Sequence, residues 1–251
     1  MSHPEFLVGL HSVEGALKHD PDHVVELLVE QGHDNRRLKA LVELARDLGI
    51  AVHARPREFL DRATGGMRHQ GVIARYRRGE SLAEADLERL VAEAGSGALF
   101  LALDGVQDPH NLGACLRSAR AAGVTAVIVP KDRAVGITPV VRAASAGAAD
   151  RVPLVRVTNL VRALETLKTN GVWVTGLAGD AARSIYELDF TGPTALVAGG
   201  ESDGLRRLTR DTCDHLAAIP MAGDVESLNV SVATGIALFE VLRQRRARAA
   251  S

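Results

Sequence analysis

Gly199-Gly200-Glu201-Ser202-Asp203-Gly204-Leu205, followed by Ile219-Pro220-Met221 and then by Ser227-Leu228-Asn229-Val230-Ser231-Val232-Ala233, decides the fold. Each segment follows or closes a short apolar run and turns through Gly, Pro, Ser or Asn, and the last opens a long amphipathic helix. Turns of this kind expose backbone N–H and C=O groups at strand ends, where an open α/β sheet binds its ligand. On periodicity alone, these segments make a ligand site in an α/β domain.

Working outward, apolar runs of strand length recur at Ala98–Leu103, Ala126–Val129, Val152–Val155, Val172–Leu177, Ala195–Ala198 and Leu216–Ile219. Helical spacing fills the intervals at Leu112–Ala122, Pro139–Ala146, Leu160–Thr169, Leu205–Asp211 and Val230–Arg245. Such alternation predicts a mostly parallel sheet covered on both faces. In the last helix, Ser227 or Asn229 is the expected cap, and Val232, Ile236, Phe239 and Val241 are expected to pack inward. The basic tail Arg243-Gln244-Arg245-Arg246-Ala247-Arg248 suits the carboxyl end of that helix.

Residues 6–78 read as a separate small α/β unit. Strands are expected at Val24–Val29, Ile50–His53 and Gly71–Tyr76, with helices over Asn35–Leu48 and Pro56–Ala63. The interval 55–78 holds seven arginines against Glu58 and Asp61, a local charge of +5 that suits a polyanion. Residues 79–96, from Gly79-Glu80-Ser81 to Gly95-Ser96, read as a helical linker, which leaves 1–78 and 97–251 as the two domains.

With 251 residues, 46% of them hydrophobic, the chain can bury its core without staples. A formal net charge of −1 gives no global case for nucleic acid, so that case must rest on local charge. Two cysteines, Cys115 and Cys213, without a CxxC or His/Cys cluster, argue against a disulfide framework and a metal site. No apolar run is long enough to span a bilayer and Met1-Ser2-His3-Pro4-Glu5 does not open a signal peptide, so a cytoplasmic protein is expected.

A further segment, Asp104-Gly105-Val106-Gln107-Asp108-Pro109-His110-Asn111-Leu112-Gly113-Ala114-Cys115-Leu116-Arg117-Ser118-Ala119, reads as strand end, Pro-containing loop and helix. Asn111 is its expected N-cap, with Arg117 nearly two turns along. Glycines of the GxGxxG and GxxxxGK[ST] loops are missing, which argues against a dehydrogenase or nucleotide hydrolase. At 199 and 200, glycine removes side chains where a ligand can lie against backbone. His69 and His110 are expected to be hydrogen-bonded turn histidines rather than ligands or bases.

These three segments, in this order, resemble the three motifs of the SpoU (TrmH-like) branch of the SPOUT RNA methyltransferases. The resemblance covers nearly the whole chain. Gly9-Leu10-His11-Ser12-Val13-Glu14-Gly15-Ala16-Leu17 and His69-Gln70-Gly71-Val72 are similar to the additional RNA-binding domain, of L30e/L7Ae-like fold, found in ribosomal RNA members of that branch. Pro130-Lys131-Asp132-Arg133 points the same way. The one departure is Ser202, where the family carries glycine after the motif-two glutamate.

From the resemblance follow further expectations. The C-terminal domain is a trefoil-knotted, mostly parallel sheet, and the chain forms a homodimer with its site at the subunit interface. Backbone around Gly199, Ile219 and Leu228 holds S-adenosylmethionine. Asn111, Arg117, Glu201, Ser227 and Asn229 line the reaction site, with Arg117 as the proton acceptor of family proposals. The reaction is methyl transfer to a guanosine ribose 2′-hydroxyl in 23S ribosomal RNA, with no metal. Large-subunit RNA and a second copy of the chain are the partners, without DNA or a membrane. Two alternatives stay open: a transfer RNA or another ribosomal RNA target, and a non-catalytic RNA-binding or assembly protein. With aromatics at 3%, recognition through RNA shape and phosphates is expected over base stacking.

Overall fold

A computed structural model describes residues 5–19, 21–32, 35–76, 82–132, 134–200, 204–223 and 227–249. Glu201 with Ser202, Arg77 and Arg78, Arg133, and Gly79-Glu80-Ser81 lie outside the described residues. The chain divides into two compact units, Met1–Glu80 and Ser81–Ser251.

The first unit contains β1 (Glu5–Val8), α1 (Leu10–His19), β2 (Val24–Glu30), α2 (Arg36–Asp47), β3 (Ala51–Arg55), α3 (Arg57–Thr64) and β4 (Val72–Tyr76). Its sheet runs β1-β4-β2-β3, with β4 antiparallel to both neighbours and β2 parallel to β3. Asn35 caps α2 by accepting from the Arg37 and Leu38 N–H groups. Leu38, Leu41 and Ala45 of that helix meet Val13 and Leu17 of α1 in one core. The two N-terminal motifs meet in space. Gly9 has φ +88°, and a Cβ there would lie 3.3 Å from Gln70 Oε1.

The second unit contains β5 (Leu82–Ala83), α4 (Leu87–Ala94), β6 (Leu99–Asp104), α5 (Pro109–Ala122), β7 (Ala126–Pro130), α6 (Pro139–Ser145) and β8 (Leu154–Val157). It continues with α7 (Leu160–Thr169), β9 (Trp173–Leu177), β10 (Thr194–Gly199), α8 (Arg207–Thr212), β11 (His215–Ala217) and α9 (Val230–Ala249). The sheet order is β11-β9-β10-β6-β7-β8-β5, and its strand pairs are parallel among the described residues. Period-two alternation sends Leu99, Leu101 and Leu103 of β6 into the core with α5 and α9. Phe100 and Ala102 enter the opposite core with α4 and α7.

Two expectations are corrected here. Residues 82–96 of the expected linker are part of the second unit: β5 extends the sheet beside β8, and Leu87, Leu90 and Val91 of α4 are buried against it. Burial of that apolar stripe is what a free linker helix lacks. In α9, Val241 packs inward, but Val232 and Phe239 are exposed and Ile236 is only half-buried. Val230, Thr234, Ala237 and Leu238 take the inner face instead. This helix is apolar on more than one side, so helical spacing did not fix which side faces the sheet.

The basic tail is built into α9 and ties it down. Arg245 is half-buried and donates to the carbonyl oxygens of Phe190, Gly97, Ala98 and Gly192 at 3.1, 2.7, 3.0 and 2.7 Å. Burial lowers its pKa from the usual arginine value.

Candidate active site

The chain leaves β6 toward β7 on one side, while β10 connects to elements on the other side, beside β9 and β11. Neighbouring strands with diverging connections open a crevice at their carboxyl ends. Asp104 and Gly199, the last residues of β6 and β10, are register partners at that point. The Asp104 side chain is buried and accepts from Arg206 N at 3.0 Å and Arg206 Nε at 2.6 Å, tying the first motif to the start of α8.

The glycines at 199 and 200 serve a tighter purpose than expected. A Cβ on Gly199 would fall 2.0 Å from the Gly204 carbonyl carbon, and one on Gly200 would fall 2.8 Å from the Gly105 oxygen. The close neighbour of both residues is the chain's own backbone, although both also line the cleft.

That cleft encloses about 410 Å3, within the range of small-molecule sites. Strand ends contribute Leu177, Ala198, Gly199 and Ala217, and the following turns add Ile219, Met221, Ser227 and Leu228. Gly199, Ile219 and Leu228, the three expected cofactor-binding residues, are therefore brought together, and Ser227 joins them. Apolar walls of Leu177, Ile219, Met221 and Leu228 between a glycine pair and strand-end backbone suit a flat heterocycle, so the residues fit an adenosine-bearing cofactor.

Asn111 and Asn229 meet beside the cleft, where Asn229 Nδ2 donates to Asn111 Oδ1 at 2.9 Å. The helices carrying them run side by side in the same direction. Cys115 Sγ lies 3.8 Å from Thr234 Oγ1, and a Cβ on Gly235 would lie 3.6 Å from Ser118 Oγ. Both helix N-termini sit after carboxyl ends of the sheet and present positive dipole ends.

The caps differ in part from expectation. Asp108 rather than Asn111 caps α5: Pro109 opens the helix with no N–H to satisfy, and Asp108 accepts from His110 N at 2.7 Å. Of the two candidates at α9, Asn229 does the capping, its Oδ1 accepting from Ser231 N at 2.9 Å and Ser231 Oγ at 2.6 Å. Ser227 stays exposed at the cleft. Arg117 is exposed on α5, does not line the cleft, and has no ion-pair or hydrogen-bond partner among the described residues. Glu201 lies outside the described residues.

His69 is the hydrogen-bonded turn histidine expected. Its Nδ1 accepts from Gly71 N at 3.0 Å, so Nε2 carries the proton toward Asp61 Oδ1, also at 3.0 Å. His110 instead lies exposed in the first turn of α5. In the arginine-rich interval, Arg75 pairs with Glu26, Arg57 approaches Glu30 and Asp61, and Arg55 stacks over Phe59. Arg62 and Arg68 make no ion pair among the described residues. Sequence reasoning missed Asp180 and Arg210, which line the cleft from the loop after β9 and from α8. Asp180 lies in no motif or periodic segment, and Arg210 lies in the helical interval Leu205–Asp211 but outside the motifs.

Among the described residues there is no cluster of three or more metal-ligating side chains and no helix long and apolar enough to cross a membrane. Residues 98–239 match the SpoU rRNA Methylase family, and residues 6–81 match the RNA 2′-O ribose methyltransferase substrate binding domain. The chain is 57% identical over 241 residues to the 23S rRNA (guanosine-2′-O-)-methyltransferase RlmB of Xylella fastidiosa (strain 9a5c), covering 96% of this chain and 97% of that protein. Among solved structures, the SpoU methyltransferase AviRb from Streptomyces viridochromogenes in complex with the cofactor AdoMet superimposes with a TM-score of 0.75 at 26% identity, covering 96% of this chain and 90% of that one. The A. aeolicus TrmH/SpoU tRNA modifying enzyme, 32% identical with a TM-score of 0.56, covers 66% of this chain and 85% of its own. The three motifs, the cleft they build and matches across both units agree: the chain belongs to the SpoU rRNA methylase family.

Proposed function

We propose that the protein methylates the ribose 2′-hydroxyl of one guanosine in 23S ribosomal RNA, using S-adenosylmethionine. The observation that carries this reading is the meeting of Asn111 and Asn229 beside the Gly199–Ile219–Leu228 cleft. It brings the ribose-facing residues of two motifs beside the slot for the cofactor. Ribosomal RNA rather than transfer RNA is supported by the near-complete match to a 23S enzyme, whereas the tRNA enzyme covers a share sufficient for one unit but not both.

Bound in that slot, S-adenosylmethionine supplies an electrophilic sulfonium methyl. The task left to the chain is to align a weakly nucleophilic 2′-oxygen and to manage its proton. Asn111, Ser227 and Asn229 position ribose and cofactor, and Glu201 organises the pocket. A guanidinium gives up its proton only at great cost, so Arg117 is a poor candidate for a neutral base. Arg117 instead orients the 2′-oxygen or its neighbouring phosphate and stabilises the developing alkoxide. Its freedom from other partners among the described residues supports that role.

The domains in this reading are an RNA-binding unit over 1–78 and a methyltransferase unit over 97–251, with 82–96 folded into the latter. The methyltransferase unit is knotted. Membership of the SpoU family supports that topology. The protein works in the cytoplasm as a homodimer. Val232, Ile236 and Phe239, at i, i+4 and i+7 on the outer side of α9, support a self-complementary helical face.

Deleting the gene tests the assignment in cells. The reading expects large-subunit RNA to lose one 2′-O-methylguanosine, restored by the wild-type chain and by no Arg117→Ala variant. An unchanged methylation pattern contradicts it.

A further inference from the structure

Among the described residues that line the cofactor cleft, only Asp180 and Arg210 are charged. They face each other as a two-pronged pair, Arg210 Nη1 and Nη2 donating to Asp180 Oδ1 and Oδ2 at 2.9 and 3.0 Å. The pair joins the loop after β9 to α8. The remainder of the described lining is apolar side chains, glycine, alanine and Ser227. A nucleoside has two faces to satisfy, a flat base and a vicinal diol. The apolar walls suit the base, and among the described residues the diol finds a carboxylate acceptor only at Asp180.

We propose that Asp180, held in place by Arg210, accepts both ribose hydroxyls of the cofactor's adenosine and so determines specificity for a ribonucleoside. The inference rests on the cofactor reading given above. A carboxylate offers about four acceptor sites, and Arg210 uses one on each oxygen, so each oxygen keeps a lone pair for a hydroxyl. The Asp180 side chain is 70% exposed, which leaves those lone pairs accessible. The hydrogen bond from Arg210 also keeps Asp180 below the usual carboxylate range, so it is an acceptor and not a donor.

The charged methionine end of the cofactor fits this pair less well. An ammonium group competes with Arg210 for the same carboxylate, and a carboxylate meets the charge of Asp180. A neutral diol adds two donors and leaves the ion pair undisturbed. Exposed ion pairs contribute little to folding, so loss of Asp180 registers in ligand binding while the fold survives.

Calorimetric titration of the full chain with S-adenosylhomocysteine, its 2′-deoxy and 3′-deoxy analogues and 5′-methylthioadenosine tests the assignment. Hydrogen bonds to a charged group predict that the wild type binds S-adenosylhomocysteine about tenfold or more tightly than either deoxy analogue. Asp180→Ala should lose about the same factor toward S-adenosylhomocysteine and methylthioadenosine alike, and should no longer distinguish the deoxy analogues. A purely structural clasp moves all four affinities together and leaves the discrimination intact, which overturns the proposal. Wild type that is indifferent to the missing hydroxyls overturns it as well. Loss toward S-adenosylhomocysteine without loss toward methylthioadenosine assigns the pair to the amino-acid end and overturns it too. Wild type that binds none of the four instead refutes the cofactor reading, and this inference falls with it.

Discussion

Asn229 Nδ2 donates to Asn111 Oδ1 at 2.9 Å, a bond between side chains 118 positions apart that fastens the first turn of α5 to the cap of α9. The same Asn229 uses its Oδ1 to cap α9. One side chain thus performs a structural and a site-building task with different atoms.

That division can be separated by mutation. Asn229→Asp keeps the capping oxygen but loses the donor to Asn111. Its thermal midpoint should stay within about 2 °C of wild type, while methyl transfer falls about 100-fold, as expected for a misplaced reacting group. Asn229→Ala should lose activity and about 1 kcal/mol of stability together. An active Asn229→Asp removes the Asn–Asn contact from the account.

Arg117 has no partner among the described residues to lose, so its replacement should be silent in folding. Arg117→Ala is expected to change stability by no more than about 0.5 kcal/mol, yet to lower turnover by about 100- to 1000-fold. Arg117→Lys should recover little, because an ammonium lacks the planar fork. Near-full activity in Arg117→Lys contradicts any role for that fork.

Much of this was legible in the residues themselves. Strands β6, β7, β9 and β10 are fully or largely buried runs of apolar residues, so their composition announces them. The cleft was legible as a candidate ligand site because the turns that build it carry Gly, Pro, Ser and Asn in a recognisable order. Orientation was harder. Val232 and Phe239 share helical spacing with residues that do pack inward, and only the shape of the α5 surface decides which side of α9 is covered. The Asp180–Arg210 pair lies in a loop and a short helix, where no period marks a partner 30 positions away.

Acid should weaken a side-chain network within α9. Glu240 is buried and accepts from Arg243 Nε and Nη2 at 2.7 and 2.8 Å and from Gln244 Nε2 at 2.8 Å. The Arg243 hydrogen bonds hold its carboxyl below the usual range. A depressed folded pKa gives stability that is fully present above the unfolded value of about 4.3 and is lost as pH falls through the folded value. Urea midpoints between pH 7 and pH 3 should fall less steeply in Glu240→Gln than in wild type, from a lower starting point. Parallel curves contradict this contribution.

The exposed face of α9 tests the dimer. Phe239 and Val232 are each 49% exposed, a large apolar cost if left in water. Phe239→Glu should convert the protein to a monomer by light scattering and abolish activity with the fold intact. A wild type that is already monomeric and fully active at high dilution contradicts the interface.

The most direct test of the central claim is methyl transfer from labelled S-adenosylmethionine to large-subunit ribosomal RNA lacking its 2′-O-methylations, with transfer RNA in parallel. The account predicts label in one ribosomal guanosine whose 3′ linkage resists alkaline cleavage, and none in transfer RNA. Label confined to transfer RNA, or in neither RNA, contradicts it.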